Sequence, residues 1–245
     1  MKFSKFILLF FILITSANAN TIYNLIKIPN LEIYKSDSIN GIKYLKAIKP
    51  FQVGVRNDNV TCFNSNNKSI KKKFNLIDKN LNRYNSIFLN KINLKYIVLC
   101  ENLSVSEISA AGVPNYKKKT LIIDINFNDD YFERVIHHEI FHLINDSYKT
   151  IFLDSKWQSI NSSNFKYAKC STCSNRLNLE LIVKTEGFLT EYSMSTASED
   201  MAEVFSFLMT DKQKIENKTR NDQILTKKIS FIKKNILKID KNFKF

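Results

Sequence analysis

The sequence predicts an α+β fold, and three observations lead there. Short β-branched and aromatic runs crowd the chain before position 128, and two long helical patterns carrying charged motifs follow it. Gly and Pro number only 4 and 3 in 245 residues, which excludes a collagen-like or linker-rich chain. The composition, 44% hydrophobic and 12% aromatic, is sufficient for a core.

In chain order, the first residues read as a leader. Lys2 and Lys5 precede an apolar run, FILLFFILI, and Ala17-Asn18-Ala19 closes it, so residues 1–19 are expected to be a signal peptide cut after Ala19. The run is too short for a bilayer, which takes about 20 helical residues. No later segment is long and apolar enough to span a membrane, so residues 20–245 are expected to form one exported domain, secreted or periplasmic. Within 20–56, "TIYNLIKI" and "LEIYKS" alternate as strands do, while 20–90 as a whole carries no recognised motif. "FNLIDKNLNRYNSIFL" sets Phe74, Ile77, Leu81, Tyr84 and Phe88 on one helical face. "LKYIVLC" and "TLIIDINF" read as strands. A helix then begins at Asp129-Asp130, with Asp130 and Glu133 spaced as a capping box. Glu180–Lys184 fits strand or helix. "SEDMAEVFSFLMTD" and the tail "DQILTKKISFIKKNILKI" are helical, the tail placing Ile224, Ile229, Ile232, Ile236 and Ile239 at mixed helical spacings.

The formal charge is +14, yet the lysines are dispersed, and their longest runs, Lys71–Lys73 and Lys117–Lys119, are short. With no RNA-binding aromatic signature and no paired CxxC, this reads as a solvated basic surface, with no specific nucleic-acid partner. Four cysteines in an exported chain favour two disulfides, most simply Cys62 with Cys100 and Cys170 with Cys173. A redox or zinc role for "CSTC" lacks the second CxxC or the strand-then-helix setting that it needs.

All three histidines lie in "HHEIFH": His137, His138 and His142. On a helix, His138 and His142 share a face about 6 Å apart along the axis, and Glu139 stands beside them. This is H-E-x-x-H, in which two imidazoles hold zinc and the carboxylate deprotonates a water acidified by the metal. Ile136, Ile140 and Ile144 form the opposite, burying stripe, and His137 is turned about 100° from His138. A catalytic zinc needs a third protein ligand. The residues after His142, Leu143-Ile144-Asn145-Asp146, exclude a further nearby His. "TASEDMAEVFSF" supplies Glu199 as ligand and Glu203, one turn on, as hydrogen-bond partner of a ligand histidine. Asp200 is expected at the surface or in a cap.

"GFLTEYSMSTASEDMAEVF", Gly187–Phe205, together with "HHEIFH", resembles the gluzincin metallopeptidases, in particular the catalytic domain of anthrax lethal factor and a group of bacterial zinc metallopeptidases. In those proteins a Tyr precedes the ligand Glu by seven residues and the helix continues as E-x-x-x-E or E-D-x-A-E-x-F. Tyr192, Glu199 and Glu203 stand at these positions. The resemblance covers roughly residues 120–210. It implies a zincin-like metallopeptidase domain with a small mixed sheet, an HExxH helix and a second Glu-bearing helix. It further implies one zinc on His138, His142 and Glu199, Glu139 as general base, and Tyr192 as stabiliser of the oxyanion. In such folds an edge strand aligns an extended peptide, and "TLIIDINF" is the candidate. The expected function is an exported zinc-dependent endopeptidase acting on peptides or proteins. The rival is a non-enzymatic exported binding protein with a basic surface and a structural metal site, whose mark would be a fourth protein ligand.

Overall fold

A computed structural model describes residues 22–54 and 59–245; the expected leader, residues 1–19, lies outside the described residues. The elements are α1 (22–26), β1 (Leu31–Lys35), β2 (Lys43–Ala47), β3 (Phe51–Val53), β4 (Val60–Phe63), α2 (Asn67–Leu81) and α3 (Ser86–Lys91). There follow β5 (Tyr96–Val105), β6 (Ile108–Ser109), β7 (Gly112–Asn115), β8 (Thr120–Asp124), α4 (Asp129–Ser147) and α5 (Asp154–Gln158). The last helices are α6 (Ala197–Thr210), α7 (Lys212–Thr219) and α8 (Gln223–Ile239). The chain is thus α+β with a mixed sheet. It divides into two compact units, one comprising residues up to Asn75 with Asn93–Phe127, the other Leu76–Ile92 with Asn128–Phe245.

The first unit is organised by β5. Its first half lies between β2 and β8, parallel to both, with Leu45 opposite Val98 and Val98 opposite Ile122. Its second half pairs antiparallel with β4 and β6. Strands covered on both faces read as apolar runs, and β8, "TLIID", is buried at every position, with Thr120 and Asp124 as its polar ends. β1, β3 and β7 pair antiparallel with β2, β4 and β8. Two expectations are corrected here. "TLIIDINF" is no edge strand, because β7 covers its outer side. Of the N-terminal alternations, "LEIYK" is β1, but 22–26 is helical. Cys62 on β4 and Cys100 on β5 form a disulfide with Cα atoms 5.9 Å apart. Phe74 of α2 meets Tyr34 and Tyr44 edge-on, at 5.0 and 4.9 Å between ring centres.

The second unit is helical. The face from Phe74 to Phe88 is interrupted after Leu81, where Asn85 takes extended geometry and its side chain caps α3 by accepting from Phe88 N. α4 starts two residues earlier than the capping-box reading: Asn128 is the cap, accepting from Asp130 N at 2.9 Å. Asp129 and Asp130 sit in the first turn, where carboxylates favour the helix dipole. Glu180–Lys184 is neither strand nor helix. Cys170 and Cys173 form the second disulfide, as the simplest pairing has it. Both links suit an oxidising compartment. Among the described residues, no helix is long and apolar enough to cross a membrane.

Candidate metal centre

α4 is fixed in rotation by what it buries. Phe132, Ile136, Ile140 and Ile144 are all in the core, and Phe141 meets Phe205 of α6 at 5.4 Å between ring centres. His137 is buried on a different side, where the Tyr84 hydroxyl donates to its Nδ1 (2.5 Å) and its Nε2–H donates to Asn80 Oδ1 (2.9 Å). Burial lowers the His137 imidazole to about 3, so it is neutral and fully partnered. His138 and His142 turn toward α6. That helix is capped by Thr196, whose hydroxyl accepts from Glu199 N, and it presents Glu199 and Glu203 one turn apart.

Three donor atoms meet. His138 Nε2 and His142 Nε2 lie 3.1 Å apart, and Glu199 Oε2 is 2.9 Å from the first and 3.1 Å from the second. The outer nitrogens are held from behind. His138 Nδ1–H donates to Glu203 Oε1 at 2.9 Å, and Ser198 Oγ lies 3.3 Å from His142 Nδ1. Glu203 is itself tied down by the Thr190 hydroxyl, 2.9 Å from its other oxygen. The Tyr192 ring tilts over His138 with centres 5.8 Å apart, and Glu199 and Glu139 lie within electrostatic reach of its phenol.

The electrostatics follow from this crowding. Burial opposes charge on His138, but Glu199 and Glu203 outweigh it and raise the imidazole to about 10. His142 is raised against the same penalty, chiefly by Glu199. Both imidazoles in turn hold the Glu199 carboxylate far below the usual range despite its burial. Glu139, half-buried beside them, is pushed up to about 7 by burial, with His138 and His142 pulling the other way. Burial, then Glu199 and Glu139, raise Tyr192, which is a neutral phenol and a hydrogen-bond donor.

Among the described residues, His138, His142 and Glu199 are the cluster able to hold a metal ion. Two imidazole nitrogens with one carboxylate oxygen are a zinc donor set, and tetrahedral bonds of about 2.0–2.1 Å give ligand–ligand edges of about 3.3 Å. The triangle here needs only a few tenths of an ångström of expansion to match. A family model described as "Putative zinc-binding metallo-peptidase" matches residues 89–241, more than half of the chain. The chain belongs to this family. All three donors, with Glu139, Tyr192 and Glu203, fall inside the matched span. No curated protein matches. Among solved structures the chain is similar to "a putative zinc-binding metallo-peptidase" from Bacteroides caccae, with 20% identity, 70% of each chain covered and a TM-score of 0.49.

Asp200 corrects an expectation. It is fully buried rather than at the surface, and its Oδ2 receives Lys228 Nζ at 2.6 Å, Trp157 Nε1 at 2.8 Å and the Tyr167 hydroxyl at 2.5 Å. Thr190 and Ser198 were not singled out from the sequence. Thr190 reaches the site only through tertiary contact and leaves no spacing signal. Ser198, next to Glu199 in the first turn of α6, could have been found from that adjacency.

Proposed function

We propose that this chain is an exported zinc-dependent endopeptidase of zincin-like fold, with residues 1–19 removed after Ala19 and one zinc per chain. The observation that carries the reading is the meeting of two imidazole nitrogens and one carboxylate oxygen within 3.1 Å, with Glu139 beside them. Family membership supports a peptide or protein substrate.

His138, His142 and Glu199 would hold the ion. When bound, zinc supplies Lewis acidity, which acidifies water and polarises a carbonyl. Glu139, half-buried beside the two imidazoles, would accept a proton from water and return it to the departing amine nitrogen. Glu203 holds Nδ1–H of His138, which fixes Nε2 as the ligating nitrogen; Ser198 stands in the same relation to His142. Tyr192, as a neutral phenol, would donate to the oxygen on which negative charge develops.

A structural zinc would need a fourth protein donor in place of solvent. Among the described residues the cluster has three, and His137 is spent on Tyr84 and Asn80. The test is a peptide-library digest with metal analysis. Glu139→Gln should retain one zinc per chain and lose cleavage by about 100-fold or more. Zinc lost along with activity, or cleavage that chelator leaves intact, would overturn the reading.

A further inference from the structure

Lysines that are scattered in the sequence gather on the outer side of α8. The helix reads "QILTKKISFIKKNILKI" and carries no acidic residue. Its buried side is Leu225, Lys228, Ile232, Asn235, Ile236 and Ile239, with Lys228 paired to Asp200. At about 100° per residue, Lys227, Lys234 and Lys238 fall within about 40° of one another, turned away from that side, over about 17 Å of axis. Lys233 borders this line, Lys241 extends it in the turn after the helix, and all of these lysines are exposed.

The strip has no counter-charge within the chain. None of Lys227, Lys233, Lys234 and Lys241 meets a carboxylate among the described residues, and Lys238 donates to the neutral amide of Asn235 at 2.8 Å. The acids at the two ends of α8 are engaged elsewhere: Asp222 accepts from Leu225 N and Gly187 N, and Asp240 from Asn242 N. Other surface lysines have partners, Lys46 on Glu32, Lys149 on Asp146 and Lys214 on Asp211. Lys234 and Lys238 stand one turn apart, where like charges destabilise a helix, so stability gives no account of the strip. The helix dipole favours only the lysine of the last turn, Lys238.

A partner for this face must supply negative charge spread over its length. It must also accept Leu237, which is 39% exposed and lies between the lines of Lys233 and Lys234. A nucleic acid or a sulfated glycan offers charge but nothing for a leucine. The strip in turn offers them neither an arginine fork nor an open ring, because Phe231, the aromatic residue of α8, packs on Phe152 and Trp157. An anionic bilayer meets both demands, with phosphates for the ammonium groups and the acyl boundary for the leucine. We propose that the face of α8 from Lys227 to Lys241 is a docking surface for an anionic phospholipid bilayer, with the helix lying flat and Leu237 entering the headgroup layer. The association is peripheral, since among the described residues no helix can cross the bilayer, and it weakens with salt. It is independent of the peptidase reading.

The experiment sediments the full mature chain with vesicles of phosphatidylcholine, alone or mixed equally with phosphatidylglycerol. Binding is expected only to the mixed vesicles, and it should weaken as salt is raised. Each single lysine-to-glutamine change on the strip should weaken it about 5-fold, and Lys227→Gln/Lys234→Gln/Lys241→Gln about 100-fold. Lys166→Gln/Lys169→Gln/Lys184→Gln removes the same charge from exposed sites off α8 and should cost less than about 5-fold. Leu237→Asn should cost about 3–7-fold on vesicles, the transfer of its exposed part out of water, and nothing on duplex DNA. Unfolding midpoints should match wild type throughout, which separates lost binding from lost fold. Failure to bind the mixed vesicles overturns the proposal. Equal losses in the two triple variants overturn it as well, by making net charge rather than α8 the cause. So does a Leu237→Asn protein that binds vesicles like wild type, or a duplex DNA held more tightly than the mixed vesicles, since either assigns the strip to a soluble polyanion.

Discussion

Replacing Asp200 with Asn tests how the residue next to Glu199 is held. Asp200 and Lys228 are both fully buried, with Nζ 2.6 Å from Oδ2. The Asn would keep an oxygen for Trp157 and Tyr167, but Lys228 would lose its counter-charge. Breaking a buried pair from one side costs about 3–5 kcal/mol. Lys228 retains the Gly187 carbonyl at 2.7 Å and the Phe188 ring at 3.8 Å, and burial already lowers its pKa, which eases deprotonation. The low end therefore applies, about 3 kcal/mol, or about 6–12 °C in midpoint for a chain of this size. The assay is urea unfolding of zinc-loaded protein, with a shifted midpoint and an unchanged slope. Asp200→Asn/Lys228→Met should recover most of the loss, since the unpaired charge is gone. A single variant within 0.5 kcal/mol of wild type, about the scatter of a surface change, would refute the reasoning, as would a double variant as unstable as the sum of its parts.

Three further outcomes are expected. In chelated protein, His138 raised from 6.5 to about 10 contributes stability that is complete below pH 6.5 and lost as pH climbs through about 10. Glu139, raised from 4.5 to about 7, has the same sign across its own window, but there His137, lowered from 6.5 to about 3, opposes it, so the thermal midpoint of chelated protein should fall between about pH 7 and 10, and zinc-loaded protein should not follow it. Gly187→Ala should cost about 1–3 kcal/mol in urea, because φ there is +82° and a Cβ would stand 2.6 Å from Ile224 Cγ2. Cys62→Ala/Cys100→Ala, opening a link across 38 residues, should cost about 4 kcal/mol by the loop-entropy relation, read from the same unfolding curves.

The helices and the three donors were legible because their signals are local. Spacing alone puts His138 over His142, and Glu199 over Glu203, on one face each. The α+β class was legible from β-branched runs ahead of 3.6-period patterns, and "LEIYK", "YIVLC" and "TLIID" all lie in strands. What failed needed partners from elsewhere in the chain. "TLIIDINF" passes for an edge strand until "GVPN", too short and Pro-bearing to read as a strand, is seen to cover it. The helical face from Phe74 to Phe88 survives a break because the residues stay apolar while the backbone turns at Asn85. Asp200 looked like a surface carboxylate because its partner, Lys228, is 28 residues away on α8. A lysine in an amphipathic tail gives no hint that it is buried.

The same accounting leads to a prediction about metal uptake. Glu139, Glu199 and Glu203 surround His138 in a half-buried to buried site, and three carboxylates cannot share such a space without positive charge. In chelated protein that charge is carried by protons: His138, raised to about 10, is charged at pH 7, and His142 is raised as well. Zinc requires both Nε2 atoms unprotonated, so uptake exchanges a dication for imidazole protons rather than adding charge. Calorimetric titration of zinc into chelated protein at pH 7, repeated in buffers of different ionisation enthalpy, should therefore show release of more than one proton per zinc. Glu203→Gln removes one carboxylate that raises His138 and should reduce that number while leaving the three donors in place. Zinc bound at one per chain with no proton release would mean that neutral imidazoles already face Glu199, and that some group other than His138 balances the buried carboxylates.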